Sequence, residues 1–329
     1  MSIWKYKNYF KSNISKLNQL TLNEGDTPCT KCPNLAYILK LTKVYLKRED
    51  LNPSGSFKDR SIAYQISQHL QNGENKFVIS SSGNAAISTI KYCKLFPCEL
   101  NVFVSKNIPA DKLMRLIDTT QIQNFDHSIL QNEDTKELTQ GNITLYFSNN
   151  PISDSIKFVN EYNYTHLRGS NDDLATIGFR TISYELINQA KDMDSIFIPC
   201  SSGTSTVGIY QGFFDKSFTP PPIHIIQTAK IKPIASYFDK EFTKSETSLS
   251  SAISDRIAKR KDQVIEIVNK TGGSGWIIND DELITSQSIL SKECNLQTSF
   301  DSALSLAGLY KALQKGYTIK KPVLIISGK

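Results

Sequence analysis

Short apolar runs rich in β-branched residues alternate with amphipathic helical patterns along the whole chain, and this alternation restricts the fold more than any other feature. Several runs are continuously apolar, as strands buried on both faces of a parallel sheet are. Apolar stripes at helical spacing lie between them, for example Ile62, Ile66 and Leu70. This order predicts an α/β protein with largely parallel sheets flanked by helices. The predicted strands are Val44–Lys47, Phe77–Ser80, Asn101–Val104, Thr144–Phe147, Ser195–Pro199, His224–Gln227 and Val323–Ser327.

Length and charge narrow the class of function. The chain has 329 residues, enough for about two domains. Its 38 basic and 32 acidic residues leave a net charge of +6 without a dense basic block, so nucleic acid is not an expected partner. No apolar run approaches the roughly 18 residues of a membrane span, and the N-terminus lacks the apolar core of a signal peptide. We therefore expect a cytoplasmic protein that does not contact a membrane.

The cysteines allow two interpretations. Cys29 and Cys32 have the spacing of a zinc or redox pair, and Cys93 and Cys98 would complete a four-thiolate site. A second close pair is missing, however, and a proline follows Cys32 directly. We therefore favour free thiols in a reducing compartment and predict no metal.

The segment Asn52–Arg60 is rich in turn-forming residues and runs into a helical pattern. Ser56 is predicted to cap that helix, with Asp59 in the capping-box position, which places Lys58 in the first helical turn. The electropositive start of a helix disfavours a charged ammonium, and a neutral lysine amine can act as a nucleophile. Taken alone, the pattern also fits a surface lysine in a capped turn.

Two further polar loops each follow an apolar strand and precede a helix. They are Ser80–Ala86 and Pro199–Gly208. Hydroxyls and backbone amides at a helix start bind carboxylates or phosphates. The second loop is neither a Walker A motif nor a GxGxxG dinucleotide motif, so a phosphate bound there need not belong to a nucleotide. Each loop also fits a capped turn without a ligand, and only the three segments together, in this order, are specific.

The segment Lys47–Arg60, KREDLNPSGSFKDR, resembles the Schiff-base lysine segment of the fold-type II pyridoxal 5′-phosphate (PLP) enzymes, the tryptophan synthase β superfamily. It is most similar to that of threonine synthases. Asn23–Pro28 resembles the family's early GEGxTP stretch, and Asp280–Leu283 and Ile325–Gly328 resemble segments of its C-terminal half. The resemblance covers nearly the whole chain.

A two-domain organisation follows from this resemblance. The smaller domain, on the substrate side and able to move, is expected at residues 48–160. The larger domain, which binds the cofactor phosphate, is expected at residues 1–47 and 161–329. A small-molecule amino acid is the expected substrate, and a homodimer is compatible with the sequence.

The resemblance also implies roles for individual residues. Lys58 would hold PLP as a Schiff base and move protons on the substrate, and Asn84 would bond the cofactor 3′-oxygen. Ser327 would face the pyridine nitrogen, where a hydroxyl leaves the ring nearly neutral and favours loss of a β or γ leaving group over transamination. Lys58, Asn84, Ser202, Gly203, Thr204, Ser205, Thr206 and Ser327 are the expected cofactor contacts. Ser81, Ser82, Gly83, Asn84 and Ala85 are expected to bind the substrate carboxylate.

Several reactions stay open within this family. The GSFKDR stretch favours a threonine synthase, which converts O-phosphohomoserine and water to threonine and phosphate. Ala175 stands where threonine synthases have an arginine that helps to hold the substrate phosphate, and Arg168 or Arg180 is a candidate replacement. Asp172-Asp173 looks more like threonine/serine ammonia-lyases, the second alternative. A cysteine synthase-like β-replacement is the third, and a scaffold that binds PLP without catalysis is the non-enzyme alternative.

Overall fold

The computed structural model describes residues 2–96, 98–122 and 137–329, which form two sheets flanked by helices. The strands are β1 Cys29–Lys31, β2 Tyr45–Arg48, β3 Lys76–Ser80, β4 Glu99–Ser105, β5 Glu137–Gln140, β6 Ile143–Ser148, β7 Thr165–His166, β8 Ser195–Pro199, β9 Ile223–Thr228, β10 Gly275–Ile278 and β11 Pro322–Ile326. The α-helices are α1 Pro33–Ile38, α2 Lys58–Gln71, α3 Asn84–Cys93, α4 Ala110–Thr120, α5 Pro151–Tyr162, α6 Leu174–Gln189, α7 Thr204–Asp215, α8 Lys261–Thr271, α9 Asp280–Cys294 and α10 Phe300–Gln314. Short 3₁₀ segments lie at Ile3–Tyr9, Lys16–Asn18, Glu49–Leu51 and Ala235–Tyr237. The seven predicted strands are all present, within two residues of their predicted bounds, and the α/β prediction is confirmed.

The larger sheet has the strand order β1-β2-β11-β8-β9-β10. Its pairs are parallel except for β1, which pairs antiparallel with β2 at one edge. Strands β8, β9 and β11 are buried along their whole length, because helices cover both faces of the sheet. This is why these strands appear in the sequence as continuous apolar runs.

The smaller sheet has the order β5-β6-β4-β3-β7, again parallel except for the edge strand β5. Its apolar residues join α2, α3 and α4 in one core cluster, whereas the larger sheet has a cluster on each face. The presence of two separate sheets is consistent with the expected two-domain organisation. The boundaries at 48–160 remain a prediction, and β7 of the smaller sheet lies beyond residue 160.

Helix α6 fixes the first turn of α2 in place. A side chain at Gly178 would put its Cβ 1.9 Å from the Arg60 carbonyl oxygen, so only glycine allows the two backbones to approach this closely. Phe57, just before α2, packs on Phe179 of α6 with ring centroids 5.1 Å apart. The position of Lys58 is therefore set by helix packing rather than by a free loop.

The start of α2 differs in detail from the predicted capping box. The N-cap residue is Phe57, although the Ser56 hydroxyl still accepts a hydrogen bond from the Lys58 amide at 3.3 Å. The Asp59 carboxylate does not accept from the Ser56 amide, as a capping box would require. It accepts from the Ser54 amide at 2.6 Å and from the Ser88 hydroxyl at 2.7 Å, and thereby joins α2 to the preceding turn and to α3.

The preference for free thiols is wrong for two cysteines. Cys32, at the N-cap of α1, forms a disulfide with Cys294 at the end of α9, and their Cα atoms are 5.7 Å apart. Folding brings together residues separated by 262 positions, a pairing that short-range spacing cannot reveal. The Cys29–Cys32 pair is therefore neither a redox motif nor half of a four-thiolate site. Among the described residues, no helix is long and apolar enough to cross a membrane.

Candidate active site

Lys58 is a largely enclosed lysine without a counter-charge. Its Nζ lies 5.3 Å from the ring centroid of Phe57 and 5.8 Å from that of Phe179. No carboxylate pairs with it within residues 2–96, 98–122 and 137–329, and burial lowers its pKa below the usual value for lysine. A lysine amine in this environment has an increased neutral fraction, as a nucleophile or a base requires.

Three distant segments meet beside Lys58. Ser56 forms a β-bridge with Gly328, and the Phe57 amide donates to the Ser327 carbonyl at 3.0 Å. A Cβ added to Gly328 would lie 2.9 Å from Asn84 Nδ2 and 3.0 Å from Ser56 Cβ. The predicted lysine segment, the Ser80–Ala86 loop and the C-terminal strand end therefore converge on one place.

Ser327 follows β11, the third strand of the larger sheet, and is almost fully buried. Its hydroxyl lies 3.3 Å from that of Ser302 in α10, which also donates to the Gly328 carbonyl at 2.6 Å. Ser302 was not among the residues predicted from the sequence. Ser299 caps α10 in the structure, and a serine just before a helical pattern is a sequence signal that could have predicted this helix start.

The Ser80–Ala86 loop presents unused hydrogen-bond donors. Helix α3 begins at Asn84 after the N-cap Gly83, and the amides of Asn84, Ala85 and Ala86 have no acceptor in the described part of the chain. The Ser81 hydroxyl accepts from the Gly83 amide at 3.3 Å. First-turn amides of this kind attract an anion.

The Pro199–Gly208 loop is built around Gly203, which has φ +93° at the N-cap of α7. A Cβ at Gly203 would also lie 2.5 Å from Val264 of α8, so both the backbone conformation and the space require glycine. The amides of Thr204, Ser205 and Thr206 then open the helix without an acceptor among the described residues. This loop lies at the carboxyl end of β8, next to β11 and Ser327.

The hydroxyls of this loop point in different directions. Ser202 and Thr204 contact each other at 2.9 Å, and Thr204 donates to the Gly169 carbonyl at 2.9 Å. Thr206 is fully buried and turns its hydroxyl toward Cys200 Sγ at 3.7 Å, so only its amide faces the opening of the loop. The hydroxyl of Ser205 has no partner in the described residues.

A fully buried ionic network supports the other side of α2. Arg60 donates to Glu49 at 2.6 Å and to Glu185 at 2.7 Å, and Lys47 donates to Glu185 at 2.6 Å. Burial alone would raise the pKa of Glu185, but Arg60 and Lys47 overcome this effect and lower it to about 2. The Thr27 hydroxyl donates to Glu49 at 2.6 Å, which joins the GEGxTP-like stretch to the lysine segment.

The two candidate replacements for the missing arginine differ in their surroundings. Arg180 pairs with Asp215 at 3.3 Å. Asp215 lies about 16 Å along α7 from Thr204, its first residue, because each residue of a helix adds about 1.5 Å. Arg168 lines a 310 Å³ cavity together with Ile156 and Val159 of α5. Ala175 is fully buried. Arg180 is therefore turned away from the loops, and position 175 leaves no opening for a longer side chain.

Comparison with known proteins identifies the family. Residues 20–328 match the family model for pyridoxal-phosphate dependent enzymes. The chain is 24% identical over 329 residues to a threonine synthase of Methanocaldococcus jannaschii, covering 96% of this chain and 76% of that protein. Its fold is similar to that of maize serine racemase, with a TM-score of 0.72, 17% identity, and coverage of 92% of this chain and 87% of that one. A fungal L-serine ammonia-lyase from Rhizomucor miehei gives a TM-score of 0.72 and 17% identity over 92% of this chain and 93% of that one.

The family match covers nearly the whole chain, and it includes Lys58, both loops and the C-terminal strand end around which the site is built. The cofactor of this family is pyridoxal 5′-phosphate. This chain belongs to the family of pyridoxal-phosphate dependent enzymes.

Proposed function

We propose that this enzyme converts O-phosphohomoserine and water to threonine and phosphate, with Lys58 as its catalytic residue. The observation that supports PLP chemistry is that, within the described residues, Lys58 is enclosed without a carboxylate partner and the first-turn amides of α3 and α7 lack acceptors. One helix start suits the cofactor phosphate and the other suits the substrate carboxylate.

The donor set fits PLP. The Lys58 amine would bond the aldehyde carbon, the α7 amides at Thr204–Thr206 would hold the phosphate, and the Ser327 hydroxyl would face the ring nitrogen. Asn84 Nδ2, which faces Gly328, would donate to the 3′-oxygen. When bound, PLP supplies an electron sink for the charge that develops at the substrate α-carbon.

The residues of this chain then bind the substrate and move its protons. The substrate carboxylate docks on Ser81–Ala85, where the free amides of α3 and the Ser82 hydroxyl serve as donors. The Lys58 amine removes the α-proton, because its lowered pKa leaves more of it in the basic form near neutral pH. It later returns a proton to the substrate.

The choice of reaction rests on the relatives. Threonine synthases match most of the chain at low identity, for example 24% over 330 residues for the Methanosarcina acetivorans protein. An ammonia-lyase is the second candidate, since buried Ala175 removes one cation that a phosphorylated substrate would use. A lyase needs only a small pocket for a departing hydroxyl.

One assay separates the two candidates. The purified enzyme is incubated with O-phosphohomoserine, threonine or serine, and phosphate, threonine, ammonia and 2-oxobutanoate are measured. We expect equal amounts of phosphate and threonine from O-phosphohomoserine, and no release by the Lys58→Ala variant. If the enzyme efficiently releases ammonia and 2-oxobutanoate from threonine but no phosphate from O-phosphohomoserine, the proposed synthase activity is wrong and the enzyme is an ammonia-lyase.

A further inference from the structure

Arg115 places a positive charge at the edge of the proposed site. It lies on α4, is exposed, and its Nη2 donates to Asn84 Oδ1 at 3.1 Å across 31 residues of sequence. In the part of the chain that the structure describes, no carboxylate pairs with Arg115. A guanidinium has five N–H donors, and the contact with Asn84 uses one of them.

The contact brings Arg115 close to the place where Lys58 lies. Because Oδ1 of Asn84 accepts from Arg115, Nδ2 of the same amide faces the Cα of Gly328, which is bridged to Ser56. The Asn84 side chain therefore links the Arg115 guanidinium to the meeting point of the three segments. The exposed position of Arg115 leaves its other donors open to a molecule that enters from solvent.

Three of the other arginines near the site are already neutralised. Arg60 pairs with Glu49 and Glu185, Arg180 with Asp215, and Arg260 with Asp173 at 2.8 Å. A ligand anion would have to compete with these carboxylates. At Arg115 no ion pair with a described residue has to be broken, so the guanidinium can interact fully with a ligand anion.

We propose that Arg115 is a specificity-determining residue that binds a second anionic group on the amino-acid substrate, a phosphate ester or a carboxylate. This inference rests on the proposed function, because it deepens the account of the same site. The planar guanidinium forms paired hydrogen bonds with either group. It supplies from α4 the cation that position 175 lacks, and it thereby separates dianionic substrates from neutral ones such as threonine and serine.

The test measures binding separately from turnover. The change in cofactor absorbance on titration gives apparent affinities for O-phosphohomoserine, O-phosphoserine, threonine and serine. We expect Arg115→Ala to weaken binding of the two phosphorylated amino acids by about 10- to 100-fold, as loss of one charge-assisted pair does. Binding of threonine and serine should change less than about threefold, and Arg115→Lys should lie between the two.

Two further variants serve as controls. Lys292→Ala removes one exposed positive charge from α9 and should leave all four affinities unchanged. Arg168→Ala tests the alternative cation. The inference would be overturned if Arg168→Ala, but not Arg115→Ala, lowered the affinity for the phosphorylated amino acids. It would also be overturned if Arg115→Ala lowered all four affinities equally, because Arg115 would then only position Asn84.

Failure of this inference differs from failure of the proposed function. If the wild-type enzyme forms threonine and phosphate while Arg115→Ala keeps its KM for O-phosphohomoserine, the function stands and the inference fails. If the wild-type enzyme forms no phosphate but Arg115→Ala still weakens binding of phosphorylated amino acids, the inference stands and the proposed synthase activity is wrong.

Discussion

Behind the first turn of α2, Arg60 and Lys47 are fully buried and paired with Glu49 and Glu185. In front of it, Lys58 and Arg115 have no carboxylate partner among the described residues. Each region contains two basic side chains, but carboxylates neutralise them in the first region and none of the described carboxylates does so in the second. The paired region holds the fold in place, and the unpaired region leaves the Lys58 amine for a cofactor and the Arg115 guanidinium for a substrate anion. We call the first the paired network and the second the unpaired face.

The largest expected effect is loss of turnover on the unpaired face. Lys58→Ala should lower kcat by at least about 10³-fold, equivalent to about 4 kcal/mol, because it removes both the cofactor attachment and the proton carrier. Its unfolding midpoint should not fall, since the amine has no carboxylate partner to lose among the described residues. Turnover assays and denaturant unfolding check both expectations, and a variant that retains a tenth of wild-type activity would contradict the role of Lys58.

A change in the paired network should act on stability. Arg60→Met leaves Glu49 and Glu185 buried without their main cation, and we expect the free energy of unfolding to fall by about 3 to 5 kcal/mol. Urea unfolding followed by circular dichroism measures the loss. Lys270→Ala, which breaks an exposed pair with Glu266, is the matched control and should leave the midpoint unchanged. Equal effects of the two variants would mean that the paired network does not hold the fold.

Acid should weaken the same network. The pKa of Glu185 is about 2 in the folded protein against a usual 4.5, so the unfolded chain binds the proton first as the pH falls. The stabilisation is present above about pH 4.5 and is lost between that pH and about 2, for a total of about 3 kcal/mol. Unfolding measured at pH 6, 5, 4 and 3 should show the decline. Arg60→Met should decline less steeply, because its Glu185 is no longer held ionised.

The smallest predicted effect is a loss of PLP affinity, and it is tested at two glycines that precede the helix starts of the proposed site, Gly203 before α7 and Gly83 before α3. Gly203→Ala forces a side chain into a positive φ and against Val264, so we expect at least about a tenfold loss of PLP affinity. Gly83→Ala meets no atom within 4 Å and should change PLP affinity less than about twofold. Fluorescence titration of the cofactor-free proteins measures both. Similar losses in the two variants would show that the phosphate does not lie on α7.

The sequence predicted seven of the eleven strands in the described part of the chain, from the fully buried β8 to β6, in which buried and half-buried residues alternate. Strands β8 and β11 form long apolar runs. Strands β1 and β7 have only three and two residues, which is too short for a recognisable pattern, and they were not predicted. Strand β10, Gly275–Ile278, was not predicted although its apolar residues form a short run typical of a buried strand.

Local motifs located Lys58 and the two loops, because a turn, a cap and a helix start are short-range features. The Cys32–Cys294 pairing and the contact of Arg115 with Asn84 depend on tertiary packing. No spacing within one segment could have predicted them. The expectation of free thiols was wrong for the same reason, since Cys32 pairs with Cys294 in another part of the chain.

The most direct test of the unpaired face is the site of cofactor attachment. The purified enzyme is loaded with PLP and reduced with borohydride, and the modified peptide is located by mass spectrometry. We predict a single phosphopyridoxyl group on Lys58, and none on Lys47, whose amine is already bound within the paired network. Attachment to another lysine, or no attachment in an enzyme that has bound PLP, would contradict the account.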